Sequence, residues 1–191
     1  MMNYPLDIRF KTLALMPQVK VSDAAGQVFM YVKQKLYLKA VALKVFADEN
    51  QQRQIYDIAT DKAVGLTFNY KITTPEGGAL GALKQTGMKS IWKANYPILD
   101  ASGAEIGAIH EENPWMKVLD ALLSDVPLIG MYINPAYLVN LRGKTVLRIH
   151  KKPAMMEGKF AVDKKGELSE ADEKLLLPAI LMFIMIERFR G

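Results

Sequence analysis

Near its end the chain reads Leu175-Leu-Leu-Pro-Ala-Ile-Leu-Met-Phe-Ile-Met-Ile186, a run without a charged side chain. A membrane-spanning helix needs about 20 apolar residues, so this run is too short to cross a bilayer. A helix that is apolar on every side must also be buried on every side. At about 1.5 Å per residue the run makes a helix roughly 18 Å long, which matches the height of a strand of five or six residues. The sequence therefore predicts a β-structure that encloses its own C-terminal helix.

The residues around this run define the expected helix. Ser169-Glu-Ala-Asp172 resembles a capping box, with Asp in the place of the usual Glu or Gln. Pro178 is expected to start or kink the helix, because a proline ring clashes with the carbonyl group four residues earlier. The alternative is a tail anchor or a helix that lies in a membrane interface.

Five similar segments precede the helix. Each is a run of alternating apolar and polar residues that leads to a glycine. They run from Val19 to Gly26, from Tyr70 to Gly77, from Tyr96 to Gly103, from Tyr137 to Gly143 and from Phe160 to Gly166. Glycine supplies the positive φ that a tight turn needs, so each segment predicts a β-hairpin. Asp23, Asp100 and Asp163 open three of the turns, where an Asp side chain can bond the backbone two residues on.

A further strand pair is predicted across Val41–Phe46 and Gln54–Ile58. Together these signals give about ten to twelve strands at regular spacing. The predicted fold is a single all-β domain over residues 1–191, a closed antiparallel β-barrel of about 12 strands around a buried hydrophobic C-terminal α-helix. A short amphipathic helix, or an apolar loop over one end of the barrel, is expected from Asn113 to Leu123.

Composition limits the chemistry of this domain. The chain of 191 residues has no cysteine and two histidines, His110 and His150. This excludes disulfides, thiolate metal sites and a cysteine nucleophile. The net charge of +5 favours an anionic partner, although it also serves solubility.

The candidate binding residues are basic side chains on two predicted strands. Alternation places Lys33, Lys35 and Lys39 on the water-facing side of the strand Tyr31–Lys39. It places Lys144, Arg148 and Lys152 on one side of the strand after Gly143, with Thr145, Leu147 and Ile149 on the other. If the fold joined the two rows, they would hold phosphate groups by charge-assisted hydrogen bonds. The alternative is that they only keep the surface soluble and protect strand edges.

No catalytic, cofactor or metal site is predicted. The stretch Gly81-Ala-Leu-Lys-Gln-Thr-Gly87-Met-Lys-Ser90 has five residues between its glycines, whereas a phosphate loop has four with Lys directly after the second. No Gly-x-Ser-x-Gly nucleophile elbow is present. The alternative function is a small-molecule site or a hydrolase at the barrel mouth, near Glu111, Glu112 and Trp115.

The order of the hairpins and the terminal helix resembles the fold shared by the Tubby C-terminal domain, the phospholipid scramblases and the LURP-one-related proteins. Several short sequence segments are similar to those of a bacterial branch of the LURP-one-related family. Five stretches carry the resemblance: Tyr31-Val-Lys-Gln-Lys35, Gly87-Met-Lys-Ser-Ile-Trp-Lys-Ala94, Glu111-Glu-Asn-Pro-Trp115, Asn134-Pro-Ala-Tyr137 and Glu187-Arg-Phe-Arg-Gly191.

This resemblance implies a twelve-stranded barrel around a hydrophobic helix, and binding rather than catalysis. Tubby domains bind phosphoinositide head groups through surface Lys and Arg, whereas the cysteine cluster and calcium loop of scramblases are missing from this sequence. The expected protein is a non-enzymatic module in the cytoplasm, peripheral at the membrane and not integral to it. Its expected partner is an anionic lipid surface or a protein; nucleic acid is not expected, because no reader motif is present.

Overall fold

The computed structural model describes residues 2–11, 18–33, 42–60, 67–86, 95–113, 136–152 and 158–190. These residues form twelve β-strands followed by one α-helix. The strands are β1 (Leu6–Lys11), β2 (Gln18–Ser22), β3 (Val28–Lys33), β4 (Ala42–Phe46), β5 (Gln54–Thr60), β6 (Phe68–Thr73), β7 (Ala79–Gln85), β8 (Asn95–Asp100), β9 (Glu105–Glu111), β10 (Ala136–Leu141), β11 (Lys144–Lys152) and β12 (Gly158–Lys164). The helix, α1, covers Glu170–Arg190.

The strands close into a single antiparallel barrel. Each strand pairs with its neighbours in the chain, and β1 pairs with β12 to complete the ring. Among the described residues every strand has a partner on both sides, with β3 and β4 joined by the pair Tyr31–Phe46. Closure of a sheet into a ring removes the free edges on which sheets aggregate. The predicted barrel is confirmed.

The apolar tail of the chain occupies the interior of this barrel. From Leu175 to Ile186 no side chain that the structure assigns to the core is more than 7% exposed, and Leu176, Ala179 and Leu181 are sealed from solvent. Inward-facing strand residues such as Ile58 and Ile109 complete the same cluster. The enclosed C-terminal helix, on which the predicted architecture rests, is therefore confirmed. Within the described ranges, no helix combines the length and the apolar character that crossing a membrane requires.

The helix begins where the capping box predicts and not at the proline. Ser169 Oγ lies 2.7 Å from Asp172 Oδ2, and the Asp172 amide donates to Ser169 Oγ at 3.1 Å. The Ser169 amide in turn donates to Asp172 Oδ2 at 3.2 Å. Pro178 lies inside the helix, so the expectation that it starts the helix is wrong. The satisfied cap fixes the start two turns earlier, and the proline is accommodated within the buried run.

Four of the five predicted hairpins are present. Gly26, Gly77, Gly103 and Gly143 lie in their turns with φ between 78° and 87°. Asp23 Oδ1 accepts hydrogen bonds from the amides of Ala25 and Gln27, each at 2.9 Å, which is the local bond expected of a turn aspartate. The predicted pair β4–β5 is also present.

The prediction of the fifth hairpin, from Phe160 to Gly166, is wrong. Gly166 follows β12, the last strand, and leads into α1. The segment from Phe160 to Gly166 has the composition of a hairpin, but the chain after Gly166 continues into the capped helix and not into a second strand. The predicted helix over Asn113–Leu123 lies almost wholly outside the described residues.

The two ends of the barrel differ. The turn end, as we call it, carries the tight turns of Gly26, Gly77, Gly103 and Gly143 and the start of α1. The tail end is the opposite end, where α1 finishes and where β1, β3 and β11 end at Lys11, Lys33 and Lys152.

Candidate anion-binding face

The three candidate residues on β11 do not share one face. A bulge shifts the register of β10 and β11, so that Val139 lies opposite Leu147 and the next residue, Asn140, lies opposite Thr145. The extra residue, Val146, is buried. Alternation therefore holds from Leu147 onward but fails before it.

The bulge separates Lys144 from the other two candidates. Thr145 turns outward, where its hydroxyl bonds Asn140 Oδ1 at 2.9 Å. Lys144 is the cross-strand partner of the buried Leu141 and lies at the turn end. The prediction that it shares a side with Arg148 and Lys152 is wrong, because the bulge reverses the parity between them.

The second predicted row is described only at its first member. Lys33 is exposed at the end of β3, and Lys35 and Lys39 lie outside the described residues. In the ring of strands, β2, β1 and β12 separate β3 from β11. Whether the two predicted rows join thus depends on what those three strands carry on their outer faces.

The outer faces of β2, β1 and β12 carry a row of cations that continues onto β11. On the outer face Lys20 of β2 is the cross-strand partner of Arg9 on β1. Arg9 is also the partner of Lys159 on β12. Lys159 in turn lies opposite Lys152 on β11. We call Lys20, Arg9, Lys159 and Lys152 the basic band. With strands about 4.8 Å apart, it spans roughly 14 Å of the barrel wall.

One carboxylate lies at the centre of the basic band. Asp7 Oδ1 accepts a hydrogen bond from Lys152 Nζ at 2.9 Å, and Asp7 Oδ2 lies 3.4 Å from Lys159 Nζ and 3.3 Å from Arg9 Nη2. Partial burial raises the pKa of Asp7, but the hydrogen bond and charge of Lys152, with Arg9 and Lys159, outweigh it and hold that pKa below its usual value. A single negative charge thus faces three positive ones.

The remaining contacts leave the face positively charged. Lys20 Nζ lies 2.6 Å from Glu49 Oε2. Lys11 and Lys33 extend the face toward the tail end, since both lie opposite Gln18 of β2 and are exposed. Around the basic band, the six cations described above meet the carboxylates Asp7 and Glu49. Asp163 lies on the same face farther toward the turn end, where its Oδ2 is 3.4 Å from His150 Nδ1.

Arg148, by contrast, is neutralised within the fold. Its Nε donates to Glu112 Oε2 at 2.9 Å, and its Nη2 lies 2.8 Å from the same oxygen. The hydrogen bond to Glu112 raises the pKa of Arg148 above its usual value. A two-point pair of this kind orders both side chains and leaves little charge for a ligand. Lys152 and Lys33 are therefore the predicted residues that the structure retains on the basic face.

The residues of the alternative mouth site do not converge. Glu111 is 5% exposed on the inner face of β9, opposite Tyr137, whereas Glu112 reaches Arg148 on the outer face. Trp115 lies outside the described residues. The two glutamates thus lie on opposite sides of the wall, as adjacent residues on a strand do.

A polar cluster does lie inside the barrel toward the tail end. The hydroxyl groups of Tyr96 and Tyr137 both donate to the carboxylate of Glu187 on α1. The ring of Phe183 packs edge-on against both tyrosines, with centroids 5.0 and 4.8 Å apart. Burial, followed by the neighbouring Glu187, raises the pKa of Tyr137 far above its usual value. These bonds tie the end of the helix to β8 and β10.

A cavity of about 680 Å³ opens at the turn end. Its walls are mainly apolar, and the charged side chains of Arg53, Lys174 and Glu76 also line it. Its apolar lining residues are Met2, Phe29, Met30, Ala47, Ile55, Tyr56, Pro75, Leu80 and Leu177. This volume lies within the range of about 300–1,000 Å³ typical of small-molecule pockets. No sequence signal pointed to it, because its lining comes from turns and strands far apart in the chain.

Alternation within single strands predicts only one of the four residues of the basic band, Lys152. Arg9, Lys20 and Lys159 are single outward-facing cations within alternating strands, a pattern that any outward-facing strand shows. Their common position follows from cross-strand register, which alternation within one strand does not specify.

Comparison with protein-family models, with curated proteins and with solved structures finds no match to this chain.

Proposed function

We propose that this chain is a non-enzymatic binding module that recognises the anionic head groups of a phospholipid surface through its basic band, and that it belongs with the LURP-one-related proteins. The observation that carries the proposal is the run of like charges across four neighbouring strands. Three successive cross-strand pairs are cationic. Like charges directly opposite each other destabilise a sheet, so this arrangement has no advantage for folding.

The geometry of the band suits a membrane surface. It lies on the convex outside of the barrel and is flanked by Lys11 and Lys33 at the tail end. Lys152 and Lys159 retain 35% and 28% of their side-chain exposure, so both remain accessible to a partner. A Lys or Arg near an anionic bilayer contributes about 1 kcal/mol of binding, and several act together. A flat array of phosphates is a chemical complement to such a surface.

Vesicle co-sedimentation tests the proposal. We expect the protein to bind vesicles that contain phosphatidylserine and not vesicles of phosphatidylcholine alone, with binding that weakens as salt rises. The double variant Lys152→Gln/Lys159→Gln is expected to bind roughly 25-fold more weakly, because two lysines at about 1 kcal/mol each contribute about 2 kcal/mol.

The matched control is Lys144→Gln/Lys165→Gln, which removes the same charge at the turn end. It should bind phosphatidylserine vesicles nearly as the unmodified protein does. Equal binding to neutral and anionic vesicles, or an equal loss in both double variants, would overturn the proposal.

The cavity at the turn end favours a second candidate function, the binding of an apolar small molecule with an acidic group. Arg53 would face the acid, since Lys174 already pairs with Glu170 at 2.7 Å, and Tyr56 and Leu80 would contact the apolar part. The fluorescent probe anilinonaphthalene sulfonate has this chemistry. We expect it to bind the folded protein, to be excluded by Leu80→Trp and to be weakened by Arg53→Gln. Probe fluorescence unchanged in both variants would contradict this second function.

A further inference from the structure

The last turn of α1 places Arg188 against the inner side of the barrel wall at the tail end. Its guanidinium carbon lies 4.5 Å from the centroid of the Phe10 ring on β1. A Cβ at Gly158 on β12 would lie 2.5 Å from Arg188 Nη1, so the guanidinium lies directly against the backbone of Gly158. Phe10 and Gly158 are cross-strand partners, and together they form the surface on which the guanidinium rests.

The guanidinium has no acceptor among the described residues. Arg188 Nη1 is buried and makes no hydrogen bond, and no described carboxylate pairs with the side chain. The adjacent Glu187 is already bonded to Tyr96 and Tyr137. Burial lowers the pKa of Arg188 from its usual value, yet a guanidinium remains charged in proteins. A buried donor without an acceptor is costly, and a bound ion is one explanation for it.

A second cation stands on the same inner rim. Along β11, Leu147 and Ile149 are buried in the core, and alternation gives Lys151 the same inward side. Lys151 lies opposite Phe160, whose ring packs edge-on against Phe10 with the centroids 6.1 Å apart. It is exposed at the end of its strand and forms no ion pair with a described residue.

The register brings Lys151 and Arg188 within reach of one ligand. Gly158 is two residues before Phe160 on β12, so Lys151 and Gly158 are diagonal neighbours across two strands. Diagonal neighbours lie about 7–8 Å apart, which is close to the reach of a lysine side chain. Arg188 Nη1 lies over Gly158. An anion beside the guanidinium, on the side toward Lys151, would therefore accept hydrogen bonds from both side chains.

We propose that Arg188 and Lys151 form a binding site for a phosphate group on the inner rim of the tail end. The planar guanidinium offers paired donors to two phosphate oxygens, and the ammonium group adds a mobile point charge. Phe10 and Phe160 form an apolar flank beside the anion. The site lies on the inner side of the wall and is separate from the basic band, which faces outward. The phosphate comes either from a free or soluble phosphate compound or from a lipid head group.

Thermal unfolding with inorganic phosphate as the probe tests the site. Phosphate at constant ionic strength should raise the melting temperature of the unmodified protein relative to chloride, because a ligand that binds only the folded state stabilises it. Arg188→Met and, separately, Lys151→Gln should each weaken phosphate binding about tenfold or more, as expected for loss of a charge-assisted contact. Lys144→Gln, on the same strand at the turn end, should leave phosphate binding unchanged.

Arg188→Met also separates a ligand-binding role from a structural one. If the guanidinium awaits an anion, Met of similar length should leave the phosphate-free protein as stable as before, or more stable. If Arg188 serves only the helix end, Arg188→Met should lower the melting temperature and the response to phosphate should persist. That result, or an unchanged response in Lys151→Gln, would overturn the proposal. Should Arg188→Met fail to fold, Lys151→Gln still decides.

Vesicles distinguish the two sources of phosphate. For a lipid source, Arg188→Met/Lys151→Gln should lose the preference for phosphatidic acid over phosphatidylserine, since only the former presents a terminal phosphate. For a soluble source, this variant should lose inorganic phosphate binding but bind both kinds of vesicle normally. The variant Lys152→Gln/Lys159→Gln should retain its response to inorganic phosphate, so that failure of the basic band and failure of this site give different results.

Discussion

Arg9 on β1 lies directly opposite Lys159 on β12, and both side chains reach the carboxylate of Asp7. This relationship shows how the barrel tolerates a row of cations. Two like charges in cross-strand register repel each other, and one partly buried carboxylate offsets that repulsion. Because Asp7 holds three cations and neutralises one, the surface keeps a surplus of positive charge. Asp7 is therefore the residue whose removal separates folding from binding.

Asp7→Asn should lower the stability of the fold and strengthen binding to anionic vesicles. Loss of the shared carboxylate should reduce the free energy of unfolding by about 1.5–3 kcal/mol, the range for hydrogen bonds to charged groups. Urea unfolding measures this change, and co-sedimentation with phosphatidylserine vesicles measures binding. Asp100→Asn is a matched control, since it changes the net charge by the same amount at a turn. The backbone amides that donate to Asp100 Oδ1 can still donate to the side-chain oxygen of Asn. Tighter binding in both variants would show that total charge, and not the basic band, sets the affinity.

The stability contributed by Asp7 should depend on pH in one direction. Its pKa in the folded state is lowered by Lys152, Arg9 and Lys159 against the opposing effect of burial. A lowered carboxyl pKa stabilises the fold above the unfolded value of about 3.9, and the contribution disappears as pH falls through the folded pKa. The difference in unfolding free energy between the unmodified protein and Asp7→Asn should therefore be largest near neutrality and vanish in acid. A difference that grew as the pH fell would contradict this account.

The features that sequence could predict are those that depend on local patterns. The uncharged run from Leu175 to Ile186 requires burial on all sides, and its length matches a strand, so the barrel around a helix follows from solvation alone. The turn glycines also act locally, since each needs a positive φ. The hairpin predicted at Phe160–Gly166 is absent because the same residue types are compatible with a turn into a helix as well as with a hairpin.

The candidate site depends on register, which sequence patterns do not fix. One bulge at Val146 moved Lys144 out of the predicted row. The basic band unites side chains from four strands, of which β2 and β11 are more than a hundred residues apart in the chain. Nothing in the closing Glu187–Gly191 segment distinguishes Arg188, because its position against Gly158 exists only once the barrel has closed.

Gly81→Ala should be strongly destabilising, because α1 and the neighbouring strand leave no room at this position. Gly81 has φ of 151°, and a Cβ there would lie 2.2 Å from the Leu99 carbonyl oxygen and 2.8 Å from Leu175 Cδ1. We expect a loss of about 3 kcal/mol or more, from overpacking added to backbone strain. Gly26→Ala is the control, since its φ of 81° is also positive but nothing lies within 4 Å. It should cost about 1–2 kcal/mol, and equal losses would mean that helix packing is not the cause.

Ser169→Ala should remove the cap of the enclosed helix. The Ser169 hydroxyl accepts from the Asp172 amide, and Asp172 also binds Arg142 with Nη2 and Oδ1 2.9 Å apart. Loss of an N-cap side chain costs about 1 kcal/mol, so thermal unfolding should shift downward by a few degrees. Ser169→Thr keeps a hydroxyl that accepts from the Asp172 amide and donates to Asp172 Oδ2, and it should recover most of the loss. If it recovers nothing, the cap is not what stabilises this end of α1.

The buried phenols should make the fold sensitive to alkali. Burial raises the pKa values of Tyr137 and Tyr4, and Glu187 and Glu173 respectively add to the effect. A raised tyrosine pKa gives stability that is complete below the unfolded value of about 10 and is lost as pH rises toward the folded pKa, because only the unfolded state then releases the proton. Phenolate absorbance of the native protein should therefore lack these two tyrosines near pH 10. Above about pH 10, the unfolding free energy of the unmodified protein should fall by about 1.4 kcal/mol per pH unit more steeply than that of Tyr137→Phe. Parallel slopes would show that the Tyr137 hydroxyl ionises as readily in the fold as in the unfolded chain, and that its bond to Glu187 does not hold the helix end in place.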